Sequence, residues 1–242
     1  MKIVKVSDYQ EMSEWAGKQV VQKVNELSKP ILGLATGSTP EGLYQYLIDA
    51  YKNEEVSFKN VTTFNLDEYI GLDSDDPNSY RYFMNEKLFN HIDIDPSNVH
   101  LPNGVADDLE KECKDYEAAI KEVGAIDLQI LGLGVNGHIA FNEPGTSFES
   151  RTQITDLVEE TIEANSRFFD NKEDVPTQAI TMGIKTIMES KEIILLASGE
   201  NKAQAVKQLI EGEVTESFPA SILHHHPQVT IVIDQAAASL LK

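Results

Sequence analysis

The sequence predicts an α/β protein with a doubly wound, mostly parallel sheet and helices on both faces. Five apolar runs of strand length recur, at 31–36, 61–66, 128–133, 193–198 and 229–234. They lack the polar alternation of a half-solvated strand, which suggests burial on both faces. Amphipathic stretches of helical period lie between them, and that alternation calls for right-handed crossovers.

In chain order, a helix is expected over 9–27, ahead of the first run. That run ends in Gly37-Ser38-Thr39-Pro40, and a helix follows over 41–51. The second run ends in Asp67-Glu68-Tyr69. Asp73–Asp76 and Pro77 read as a loop before a helix over 80–90, and another helix is expected over 107–122. The third run leads into Gly134-Val135-Asn136-Gly137-His138. Helices are expected over 157–168, over 202–210 after Gly199-Glu200-Asn201, and over 236–241 after the last run. There is no repeat, low-complexity tract or Pro/Gly/Ser-rich linker, so one domain over 1–242 is the simplest account.

Composition narrows the function. The 242 residues are 41% apolar, enough for a well-filled core. Twenty Lys and Arg against forty Asp and Glu give a formal charge of −20. Such a surface repels phosphate backbones, which argues against nucleic acid or an anionic membrane as partner. It leaves room for a small phosphorylated substrate, because salt screens distant charge within about 8 Å. The single cysteine, Cys113, excludes an intramolecular disulfide and reads as a thiol on a helix face. No run approaches the ~20 apolar residues of a membrane span and 1–8 lacks a signal-peptide core, so a cytoplasmic location is expected.

Ligands of open parallel sheets bind beyond the carboxyl ends of the strands, so the residues there are the candidates. Thr36, Gly37, Ser38 and Thr39 supply amides and hydroxyls at a helix start, suited to an anion or simply to capping a turn. No Gly-Lys-Ser/Thr follows, so this is not a P-loop. Asp67 and Glu68 are adjacent carboxylates at a strand end, where burial would raise a pKa toward that of a useful base. One could face the crevice while the other points away, and either could instead cap the next element.

The stretch from Gly132 to Gly145 contains a G-x-G-x-x-G, but Pro144-Gly145 interrupts the long helix a dinucleotide would need. What remains is a tight loop holding His138 near Glu143, the residue types of a general acid/base with its orienting carboxylate. Metal binding is the second reading of that pair, although a spacing of five matches no standard ligand pattern. Arg167 and Lys202 are cations that could meet a phosphate or simply be solvated. His224-His225-His226 cannot share one face of an element and reads as structural or as cleft rim.

The segments GLATGSTP at 33–40, NLDEYIG at 65–71, GLGVNGHIAFNEPG at 132–145 and NSRFFDN at 165–171 resemble the glucosamine-6-phosphate deaminase family, across essentially the whole chain. The resemblance implies a modified Rossmann-like fold. It also implies conversion of D-glucosamine 6-phosphate and water to D-fructose 6-phosphate and ammonia, without metal or organic cofactor. By motif position, Asp67 corresponds to the base that removes the C2 proton, His138 to the ring-opening acid/base, and Glu143 to the carboxylate that orients it. Asn136 stands where many relatives have Asp, and an amide there can orient the imidazole by hydrogen bonding. The phosphate falls to Thr36–Thr39, Arg167 and Lys202, and 151–171 resembles a lid.

Longer relatives are allosteric hexamers whose effector site uses basic residues. Gln153 and Thr155 stand at those positions, and the chain stops short of their C-terminal extension. The expectation is a monomer or small homo-oligomer with weak or no effector activation. A 6-phosphogluconolactonase-like hydrolase is the nearest alternative. A sugar-phosphate-sensing domain is a second, but no basic helix pair for DNA is present.

Overall fold

The computed structural model describes residues 1–166, Phe169, Asn171 and 174–242. Each of the five apolar runs contains a strand. In chain order the strands are β1 (Lys2–Val6), β2 (Ile31–Leu34), β3 (Thr62–Asn65), β4 (Asp67–Tyr69), β5 (Val99–His100), β6 (Leu128–Gly132), β7 (Gln153–Asp156), β8 (Gln178–Thr181), β9 (Ile193–Ala197) and β10 (Val229–Asp234). The helices are α1 (Tyr9–Glu26), α2 (Glu41–Lys52), α3 (Tyr80–Lys87), α4 (Leu109–Val123), α5 (Glu159–Asn165), α6 (Ile184–Met188) and α7 (Ala203–Glu211).

Seven strands form one sheet in the order β1-β10-β9-β6-β2-β3-β5, with every neighbouring pair parallel. The apolar runs follow from burial on both faces. Along β9, Ile193, Leu195 and Ala197 enter one core while Ile194 and Leu196 enter the other. Met12, Ala16 and Val20 of α1 and Leu43 and Leu47 of α2 pack on the second face. Tyr116 and Ile120 of α4 and Val206 and Leu209 of α7 pack on the first. Cys113 is buried on α4, as expected of a helix-face thiol.

β2 and β6 are neighbours whose chains depart in opposite directions, toward β3 and β9 respectively. The crevice at their carboxyl ends is the switch point where such sheets take ligands.

A second sheet of three antiparallel strands, β4-β8-β7, was not evident in the sequence. It grows directly out of the first through one residue. The Leu66 N–H donates to Leu34 O in the parallel sheet, and its carbonyl accepts from Met182 N just past β8. Asp67-Glu68-Tyr69, read as the polar end of a strand, is itself a strand of this second sheet.

Other expectations are corrected. Residues 235–240 form consecutive turns rather than the helix expected over 236–241. Asp234 accepts from the Ala237 N–H, and so short a segment lacks the length to propagate a helix. α5 begins at Glu159 rather than at 157, residues 167 and 168 of the stretch expected over 157–168 lie outside the described residues, and Lys202 sits in a 3₁₀ turn ahead of α7. The strands β1 and β5 and the helix α6 were not foreseen.

Candidate functional site

A cleft of about 780 Å³ opens at the switch point. Thr36, Gly37, Ser38, Thr39, Asp67, Asn136, His138 and Lys202 all line it, and Glu143 stands behind His138. Arg167 lies outside the described residues. The histidine run is structural: His224 and His226 bond the carbonyls of Leu209 and Ser190, and none of the three lines the cleft.

The loop after β2 is held from two sides. Tyr44 of α2 donates to the Ala35 carbonyl. Tyr9, at the start of α1, donates to Ser38 O at 2.8 Å and accepts from Gly42 N at 2.8 Å. Among the described residues, nothing accepts from the amides of Gly37, Ser38 and Thr39. They precede α2, so amides and helix dipole favour an anion at the same place. Lys202 reaches the cleft from the turn after β9, its Nζ donating to Leu133 O at 2.7 Å. That turn is fixed by buried Asp234, which accepts from Ser198 Oγ and Gly199 N.

The two adjacent carboxylates divide their roles by strand alternation. Glu68 points away from the cleft and accepts from the backbone N–H groups of Tyr69, Tyr80 and Arg81, each at 2.9 Å, so it caps the start of α3. Burial still raises its pKa, with those three bonds pulling against it. Asp67 faces the cleft at 6% exposure and finds no hydrogen-bond donor among the described residues. Burial, with a smaller contribution from the Glu68 charge, pushes its pKa up to about 8.

The third motif folds into a loop that carries the imidazole. The Gly134 N–H donates to His138 O at 2.9 Å, and the His138 ring lies against the Gly134 α-carbon, where a Cβ would come within 2.5 Å of it. Gly137 has φ +87° and packs its α-carbon on the Phe218 ring. The second and third glycines of G-x-G-x-x-G, Gly134 and Gly137, therefore make room for side chains of this chain. His138 Nδ1 is 3.3 Å from Glu143 Oε2, close enough for an ion pair but off-line for a well-formed hydrogen bond.

Asn136 knits the group together. Its Nδ2 donates to Glu143 Oε2 at 2.9 Å, and its Oδ1 accepts from the His138 backbone N–H at 3.2 Å. Burial works to raise the Glu143 carboxyl. The adjacent His138 imidazole, with hydrogen bonds from Thr161 and Asn136, outweighs it and leaves the pKa below the usual value.

Sequence reasoning missed the aromatic wall. Tyr69, Tyr80, Phe141 and Phe169 pack with ring centroids 4.6–6.1 Å apart along the side of the cleft that carries Asp67. Tyr69 and Phe141 lie inside the quoted motifs, but a lone aromatic beside a strand reads as core. Thr161, on α5, was also missed. It is buried and donates to Glu143 Oε1.

Comparisons with known proteins bear on the whole chain. The family described as glucosamine-6-phosphate isomerases/6-phosphogluconolactonase matches residues 7–232. The chain belongs to this family. Within it, a glucosamine-6-phosphate deaminase of Oceanobacillus iheyensis is 58% identical over 237 residues, covering 98% of this chain and 95% of that protein. One of Thermoanaerobacter pseudethanolicus is 55% identical over 241 residues, covering 100% and 95%. A solved structure described as a monomeric glucosamine-6-phosphate deaminase superposes with a TM-score of 0.98 at 53% identity, covering 99% of this chain and 100% of that one.

The exposed cost of Asp67 yields a stability prediction. Its folded pKa of about 8 lies above the ordinary 3.8, so folding favours the protonated form. That preference costs nothing below about pH 4. The cost grows as pH rises and is complete above about pH 8. Asp67→Asn is therefore expected to melt higher than wild type by about 10 °C or more near pH 9 and to converge with it near pH 4. Thermal melts across that range check it, and a constant difference at every pH would contradict the assignment of the shift to Asp67.

Proposed function

We propose that this cleft converts D-glucosamine 6-phosphate and water into D-fructose 6-phosphate and ammonia, by aldose–ketose isomerisation coupled to deamination. One juxtaposition carries the reading: a buried, donor-starved carboxylate and a carboxylate-backed imidazole line the same cleft as an anion-ready loop. The identity of more than half the residues to deaminases supports it over the lactonase side of the family.

The phosphate sits on the Thr36–Thr39 amides and hydroxyls with Lys202 beside it, and Arg167 is proposed as its second cation. Anchoring the far end of the sugar holds the reacting carbons in place. The substrate enters as a ring, so O1 must lose a proton and O5 must gain one. His138 does both, with Glu143 and Asn136 holding it for the task. Opening gives an aldehyde whose C2 hydrogen is acidic. Asp67 removes that proton, and an ammonium at C2 beside it draws its raised pKa down to meet the work. Reprotonation at C1 leaves an imine at C2, and water releases ammonia from it. The carbon skeleton supplies both oxidised and reduced partners, so proton transfers suffice and no cofactor is needed.

The aromatic wall excludes water beside Asp67 and keeps its carboxyl basic. The chain acts as one catalytic domain in the cytoplasm, as a monomer or small homo-oligomer; the lid expected over 151–171 lies partly outside the described residues. Gln153 and Thr155, on β7, lack the charge to hold an anionic effector.

The deciding experiment is an assay of ammonia release from glucosamine 6-phosphate with a chelator present. Equal amounts of ammonia and fructose 6-phosphate are expected; hydrolysis of 6-phosphogluconolactone with no ammonia would move the chain to the lactonase reading. Asp67→Asn should lose exchange of the C2 hydrogen with deuterated solvent by at least about a thousandfold while still binding the sugar phosphate. Persistence of exchange at the wild-type rate would remove Asp67 as the base. Lys202→Ala should raise KM about tenfold or more with a smaller change in kcat. An unchanged KM would remove Lys202 from the phosphate site.

A further inference from the structure

We propose that Thr161 is a positioning residue for the acid/base pair: its hydroxyl, carried on α5, holds Glu143 Oε1 and so fixes the carboxylate whose other oxygen faces His138. The proposal rests on the deaminase reading and adds to it a residue outside the loop that bears the chemistry.

Three observations carry it. Glu143 has two oxygens and they are served from two directions. Oε2 takes the amide of Asn136 and lies 3.3 Å from His138 Nδ1, both in the loop after β6. Oε1 takes the Thr161 hydroxyl, from an element 18 residues further along the chain. Thr161 is 4% exposed and lines the cleft, so this donor is shielded from the water that would compete with it. The loop needs such a prop, because Ala140 between His138 and Glu143 adopts φ +52°, a conformation costly for a residue with a Cβ.

A carboxylate gripped at one oxygen can rotate about its last torsion. Gripped at both, it presents Oε2 to the imidazole in one orientation. Of the described groups, His138 is the titratable one that acts on Glu143. Asn136 and Thr161 are neutral donors, and both stabilise the ionised carboxylate. Removing the hydroxyl therefore moves Glu143 toward its protonated form. A protonated Glu143 neither orients nor stabilises an imidazolium, so the acid limb of the pH profile should shift upward.

The test compares Thr161→Val, which keeps the shape and loses the donor, with Thr161→Ser, which keeps the donor. Carbon-13 carboxyl labelling of glutamate, with Glu143→Gln to identify the resonance, reads the titration of Glu143 without needing turnover. In Thr161→Val the Glu143 titration should move up by about 0.5 pH or more. In the same variant kcat should fall about tenfold with KM within about twofold, and the acid limb of kcat/KM should rise. Thr161→Ser should restore both.

A Glu143 titration unchanged in Thr161→Val overturns the proposal, as does a serine variant no better than the valine one. Failure of the deaminase reading looks different. The wild type would release no ammonia, while the Glu143 titration would still respond to the hydroxyl.

Discussion

The carboxyl end of β8 is the strut on which the cleft is built. Thr181 pairs with Asp67 in the small sheet, and its hydroxyl accepts the Phe141 N–H at 3.0 Å. Its neighbour Met182 donates to the Leu66 carbonyl and accepts from Asn142 Nδ2 at 2.9 Å. Two consecutive residues thus bind both the strand that carries Asp67 and the loop that carries His138 and Glu143. Because Leu66 is also bonded into the parallel sheet, neither segment can shift without breaking a buried backbone bond. Such bonds are expensive to leave unmade, which gives the site its rigidity.

On that frame two carboxylates receive opposite surroundings. Asp67 is buried with no donor among the described residues, and its pKa climbs to about 8. Glu143 is also buried, yet His138, Asn136 and Thr161 surround it and its pKa falls. Burial favours the protonated form of one, and its neighbours favour the charged form of the other beside an imidazole. Chemically similar groups pushed apart by environment are a recurrent sign of an acid/base division of labour. Glu68 completes the contrast. Its three backbone bonds at the head of α3 make it a structural carboxylate, one residue from a catalytic candidate.

The anion end of the cleft follows the same economy. A chain of formal charge −20 cannot attract a phosphate by its overall field. For the phosphate proposed above, the cleft offers local donors instead: amides ahead of α2, hydroxyls of Ser and Thr, and Lys202 on a turn pinned by Asp234. Salt screens the distant carboxylates, while contacts within hydrogen-bond reach keep their strength.

The amino-acid sequence by itself determined the parallel sheet, because strands buried on both faces write continuous apolar runs that need no partner to be read. It also determined that polar and glycine residues cluster at strand ends, and hence where to look for Asp67, His138 and Lys202. It did not determine the small sheet: β4, β7 and β8 have three or four residues each, and Asp67-Glu68-Tyr69 carries no strand pattern until β8 lies beside it. The apolar pattern at 236–241 was misleading, since six residues tethered to Asp234 gain more from capped turns than from a helix. Which of two neighbouring carboxylates meets the cleft, and which threonine meets Glu143, only the tertiary structure decided. Burial and the supply of donors are properties of what packs around a side chain, and those neighbours come from distant parts of the chain.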